Sequence, residues 1–155
     1  MPGGFKKISE TSLGLALAVP EDWQIEPPKP VTISAVKVTS ADDIGLLTVY
    51  TSPCSQLNLD AEKVRNAVTK VFGTLVFHGE PKDEPVNGRR SMVIGTTLSV
   101  PKELVSGIQP AKDVKLDLLI RQIYDAQNGR CISVMYPNNE IGRKIISTMN
   151  IQPPE

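Results

Sequence analysis

The 155-residue sequence predicts an α+β fold, an antiparallel β-sheet with helices packed on its faces. Three observations carry that reading. Apolar residues alternate at every second position in several runs, the period of strands with one buried face. Two Asn-Gly pairs, Asn87-Gly88 and Asn128-Gly129, stand between such runs as hairpin turns. The spacing changes to three and four residues between Leu57 and Phe72, and again after Asn139, as amphipathic helices require.

Phe5 to Ser9 reads as a short edge strand leading into the stretch that organises the chain, Leu13 to Trp23. Leu13, Leu15, Leu17 and Val19 make one heavy face, with Gly14, Ala16 and Ala18 between them. Pro20 ends the strand because it has no N–H for the ladder. Trp23, the sole tryptophan, is placed to close over that face. Gln24 to Pro30 is proline-rich and reads as a stiff connection. Thr32–Thr39 and Ile44–Thr51 are further strands, the second stopped by Pro53.

A helix is expected over Leu59–Phe72, with Asn58 as N-cap and Gly73 as its stop. Leu75 to His78 restarts extended structure, and Pro81 and Pro85 keep the following residues out of a central strand. Arg90–Val100, Lys115–Asp125 and Cys131–Tyr136 follow as hairpin-linked strands, with a surface loop over Lys102–Lys112. Pro137 breaks the sheet, Asn138 or Asn139 caps a final helix with the stripe Ile141, Ile145 and Met149, and Gln152–Glu155 reads as a frayed tail. The economical arrangement is one continuous antiparallel sheet in a single domain over 1–155, with short flexible ends near 1–4 and 152–155.

The 17 basic and 17 acidic residues cancel, and aromatics are only 5%, which argues against a nucleic-acid platform. No apolar run reaches the ~20 residues of a membrane span. One histidine and two distant cysteines offer no metal-binding spacing, no glycine-rich loop cradles a phosphate, and no base stands beside a nucleophile in sequence. Neither a cofactor nor a catalytic set is expected. Cys54 and Cys131 are expected reduced, as buried small side chains; the alternative is a disulfide, which would favour an exported protein. With Met1 as the true start the chain stays in the cytoplasm; with a leader removed, the cell envelope or another exported compartment follows.

Two short stretches carry a family resemblance. Val19-Pro20-Glu21-Asp22-Trp23 resembles the hydrophobic-Pro-x-x-Trp opening of many PsbP/Mog-like α/β/α sandwich proteins. Asp117-Leu118-Leu119-Ile120-Arg121-Gln122-Ile123 is similar to the penultimate strand of the type VI secretion effector-associated chaperones and the DcrB-like proteins of the same superfamily, which also includes LpqN-like proteins. The element order resembles that fold over almost the whole chain. No lipobox cysteine stands near the N-terminus.

The resemblance implies a non-enzymatic accessory, chaperone-like or protein-binding domain whose partner is another polypeptide. Arg121 interrupts an otherwise apolar strand. Either its charge meets solvent or a neighbouring acid, or Arg121, Gln122 and Tyr124 line an uncovered sheet face that, framed with Trp23, receives that partner. The alternative function is an exported envelope protein binding a small apolar ligand or lipid.

Overall fold

The computed structural model describes residues 4–25, 32–40, 43–57, 74–100 and 114–153. The helix expected over Leu59–Phe72 and the loop expected over Lys102–Lys112 lie outside these residues. The α+β class and the antiparallel pairing hold, but the strands divide into two sheets rather than one. Phe5–Glu10 (β1) and Leu15–Pro20 (β2) form a hairpin, and Asn150–Ile151 (β10) takes the other edge of β2. β1 runs along one edge of β2, and β10 covers Leu15 and Ala16 on the other. Pro20 then starts a tight turn, its carbonyl accepting from Trp23 N at 3.1 Å.

The main sheet has seven strands. In spatial order they are Gln24–Ile25 (β3), Thr32–Ser40 (β4), Asp43–Pro53 (β5), Arg130–Pro137 (β9), Val114–Asp125 (β8), Ser91–Val100 (β7) and Thr74–Asp83 (β6). Its first face meets the small sheet. Ile8, Leu15, Leu17 and Val19 pack there against Ile33, Leu47, Val49, Ile123, Ile132, Val134 and Tyr136. Full burial of each such side chain contributes roughly 1.5–3 kcal/mol. The second face carries a separate cluster, Leu46, Leu75, Ile94, Leu98, Leu118, Ile120 and Met135.

The turns explain how the strands return. Asn87 and Gly88 both have positive φ, 50° and 78°, and Val86 and Arg89 exchange two backbone hydrogen bonds of 3.0 Å, as a type I′ hairpin requires. This tip reaches across the first face: Asn87 Nδ2 donates to Met149 O at 2.9 Å and Arg89 to Ile151 O at 3.4 Å. The second Asn-Gly pair belongs to a longer turn, a 3₁₀ segment Ala126–Asn128 ended by Gly129 at φ 62°. β6 continues through Pro81 because it is an edge strand and Pro81 falls in the irregularity between His78 and Lys82, so the missing N–H costs no ladder bond.

The one helix among the described residues, Glu140–Ser147 (α1), starts at Asn139, whose side chain accepts from Gly142 N at 3.0 Å. Its buried stripe is Gly142, Ile145 and Ile146, continued by Met149; Ile141, expected inside, is 41% exposed. Gly142 sets that rotation, since any side chain there would overlap the Pro137 carbonyl. Gln152, expected in a frayed tail, is tied down by its N–H donating to Gly14 O at 2.8 Å.

Cys54 and Cys131 are bridged, which corrects the expectation of free thiols. Sequence distance concealed their proximity. Ser52 on β5 lies directly opposite Cys131 on β9, and Cys54 follows two positions on, with a Cα–Cα distance of 5.6 Å that a disulfide spans.

Candidate partner-binding face

Directly opposed residues of antiparallel strands project from the same face of a sheet. Tyr50 on β5 stands opposite Ser133 on β9, Ser133 opposite Gln122 on β8, and Gln122 opposite Met92 on β7. These four form one cross-strand row on the second face. The neighbouring row at one side is Ser52, Cys131 and Tyr124; at the other it is Thr48, Met135, Ile120 and Ile94, where the apolar cluster begins. The face therefore grades from a dry apolar half to a polar, aromatic half that reaches solvent. Tyr50 is 40% exposed, and Ser52, Met92, Gln122 and Tyr124 are half-buried. The row from Tyr50 to Met92 carries no formal charge.

Gln122 and Tyr124 thus lie on one face of β8. Arg121 does not join them, because successive strand residues point to opposite faces. It is 4% exposed on the first face, opposite Val134 and Val93. Its Nε donates to Tyr136 Oη at 3.0 Å, Nη1 to Ser91 Oγ at 2.9 Å and to Glu84 O at 2.8 Å, and Nη2 to Glu84 Oε1 at 2.8 Å. Burial by itself would lower the Arg121 pKa; the bonds to Tyr136 and Glu84 outweigh it and raise it above the ordinary value. Burial likewise pushes the Tyr136 hydroxyl up, with Arg121 only partly opposing. Of the alternatives read from sequence, the structure takes the neighbouring acid.

Trp23 is 3% exposed and also belongs to the first face, its ring lying over Gly45 of β5, where an added Cβ would collide with it. It does not frame the strand bearing Tyr124. The four residues singled out from sequence therefore separate into a surface pair, Gln122 and Tyr124, and a buried pair, Trp23 and Arg121. Tyr50 and Ser133 were missed because only the register places them beside Gln122.

The remaining chemistry is sparse. His78 is exposed, its Nε2 2.7 Å from Thr97 Oγ1, and Cys54 is held in the disulfide. Among the described residues, no three His, Cys, Asp or Glu side chains gather as a metal ion would need. No helix among them is long and apolar enough to cross a membrane.

No family model matches the sequence, and no curated protein matches it. Among solved structures the chain is similar to the solution structure of cyanobacterial PsbP (CyanoP) from Synechocystis sp. PCC 6803. The TM-score is 0.60 over 98% of this chain and 95% of that one, at 11% identity. The fold is PsbP-like. At that identity the likeness concerns architecture, and the PsbP-like frame transfers no residue role.

Proposed function

We propose that this PsbP-like domain is a non-enzymatic accessory protein that binds another polypeptide through the polar half of its second sheet face. The observation that carries the reading is the uncharged row Tyr50–Ser133–Gln122–Met92 with Tyr124 beside it. Tyrosine offers a rigid amphipathic contact at low entropic cost, and the half-buried Gln122 brings a carboxamide beside it, while Ser133, 6% exposed, lies at the floor of the row. The fold supports an accessory role without fixing the partner.

Photo-crosslinking from Tyr50 or Tyr124 in the source cells should capture one stoichiometric polypeptide, and crosslinking from Lys144 on α1 should not. With that partner purified, Tyr124→Ala and Gln122→Ala should each weaken binding, the tyrosine change by tenfold or more, about 1.4 kcal/mol. Binding that is unchanged in both folded variants excludes this face.

We further propose that the protein works in an oxidising, exported compartment, which the Cys54–Cys131 bridge supports. Rapid thiol alkylation of cell extracts tests this. Mass-tagging at both cysteines in the native population would overturn it.

A further inference from the structure

The outer side of the small sheet holds a cleft of about 230 Å³ that plays no part in the proposed partner contact. Its floor is the directly opposed row Ser9, Ala16 and Asn150, on the face of β1, β2 and β10 away from Ile8 and Leu17. Lys7, Thr11 and Gln152 stand around it. The described lining thus supplies one ammonium, two hydroxyls and two carboxamides, with no carboxylate among the described residues that line it.

The walls are fixed from beneath. Arg130, buried and paired with Asp125, donates to the carbonyls of Leu13, Gly14 and Gln152. Gly14 N donates to Thr11 O at 3.0 Å, and Gln152 N to Gly14 O at 2.8 Å. A buried charge is expensive unless fully bonded, and this one is spent on holding the backbone at the Gly14–Gln152 end of the cleft. Walls held before a ligand arrives lower the ordering cost of binding it.

We propose that this cleft binds a small hydroxylated anion, with its carboxylate or phosphate group on Lys7 and its hydroxyls on Ser9, Thr11 and Asn150. Among the described lining residues Lys7 is the one cation and faces no carboxylate, which selects a ligand with one negative group, and the small floor residue Ala16 leaves room for a ring the size of a monosaccharide. Charge-assisted bonds to Lys7 supply the discrimination against neutral sugars.

The full chain, labelled with nitrogen-15, is titrated separately with glucuronate, glucose 6-phosphate and glucose. Glucuronate or glucose 6-phosphate should shift the amides of residues 7–11, 14–16 and 150–152 at about 10 mM ligand, and glucose should bind at least tenfold more weakly. The stronger of the two anions identifies the acid group. Lys7→Gln, an exposed change, should remove that preference over glucose, and Ala16→Leu should abolish binding by filling the floor. An adventitious charge effect would shift lysine neighbours across the surface and survive Ala16→Leu. That result, equal binding of all three probes, an unchanged affinity in Lys7→Gln, or no localised shift overturns the proposal. The partner face lies on the other sheet, so failure here leaves the reading of Tyr50, Gln122 and Tyr124 intact.

Discussion

Removing the Arg130 guanidinium would strand the Asp125 carboxylate, 1% exposed, with Asn128 Nδ2 at 2.8 Å as its remaining side-chain donor among the described residues. Breaking a buried pair from one side costs about 3–5 kcal/mol. Arg130→Met should therefore lose most of that in urea unfolding, and Arg89→Met, which removes one long bond to Ile151 O, far less. The same pair makes a pH prediction. Burial pushes the Asp125 carboxyl up, but the bonds from Asn128 and Arg130 outweigh it and hold it below the ordinary range. A lowered folded-state pKa contributes stability that is complete above the unfolded value, near pH 4, and is lost as pH falls through the folded one. Urea midpoints measured from pH 6 downward should drop in the native chain and follow a flatter line in Asp125→Asn. Of these residues the sequence exposed only the oddity of charge in apolar strands. Arg121 stood out for that reason, whereas Asp125 closed a predicted strand and Arg130 fell between that strand's turn and the next, where nothing in the sequence shows that the two meet.

At the scale of elements, α1 depends on one glycine. Without a side chain at position 142 the helix settles against Pro137 and turns Ile145 and Ile146 inward; with one, the backbone must retreat from the carbonyl. Gly142→Ala gains about 1 kcal/mol of helix propensity and should nevertheless destabilise the protein by at least 1–3 kcal/mol net, read as a lower thermal midpoint. Ile141→Ser, on the exposed side, should change it by less than about 0.5 kcal/mol. This distinction was invisible in the sequence, because Ile141, Ile145 and Met149 satisfy helical spacing as well as the true stripe does. The type I′ turn at Asn87-Gly88, by contrast, was fully legible, since its chemistry is local. Strand existence was legible for the same reason. The pairing of β10 with β2 and the two-residue β3 were not: each is held by long-range partners and has too few residues to show a period.

For the whole molecule, the disulfide closes a loop of 77 residues across strands already paired. The chain-entropy relation puts its stabilisation at about 4.5 kcal/mol at most, less where the unfolded chain retains structure. Urea unfolding with and without a dithiol reductant, and in the Cys54→Ser, Cys131→Ser double variant, should show a loss of that order; a difference below about 1 kcal/mol would mean the strand pairing alone fixes this corner. Class and antiparallel order could be read from alternation and turns, but the split into two sheets could not, because it depends on which strand meets β2. That meeting has a consequence for synthesis. Ala18 N donates at 2.8 Å to Thr148 Oγ1, a partner 130 positions later, and Leu15 pairs with Ile151. During synthesis the β1–β2 hairpin therefore precedes its last partner, and one edge of β2 stays unclosed until residues 150–151 have left the exit tunnel. A chaperone that shields extended edges during translation would have its clearest target there, and a stall late in the message would release a chain whose open flank invites pairing with another copy.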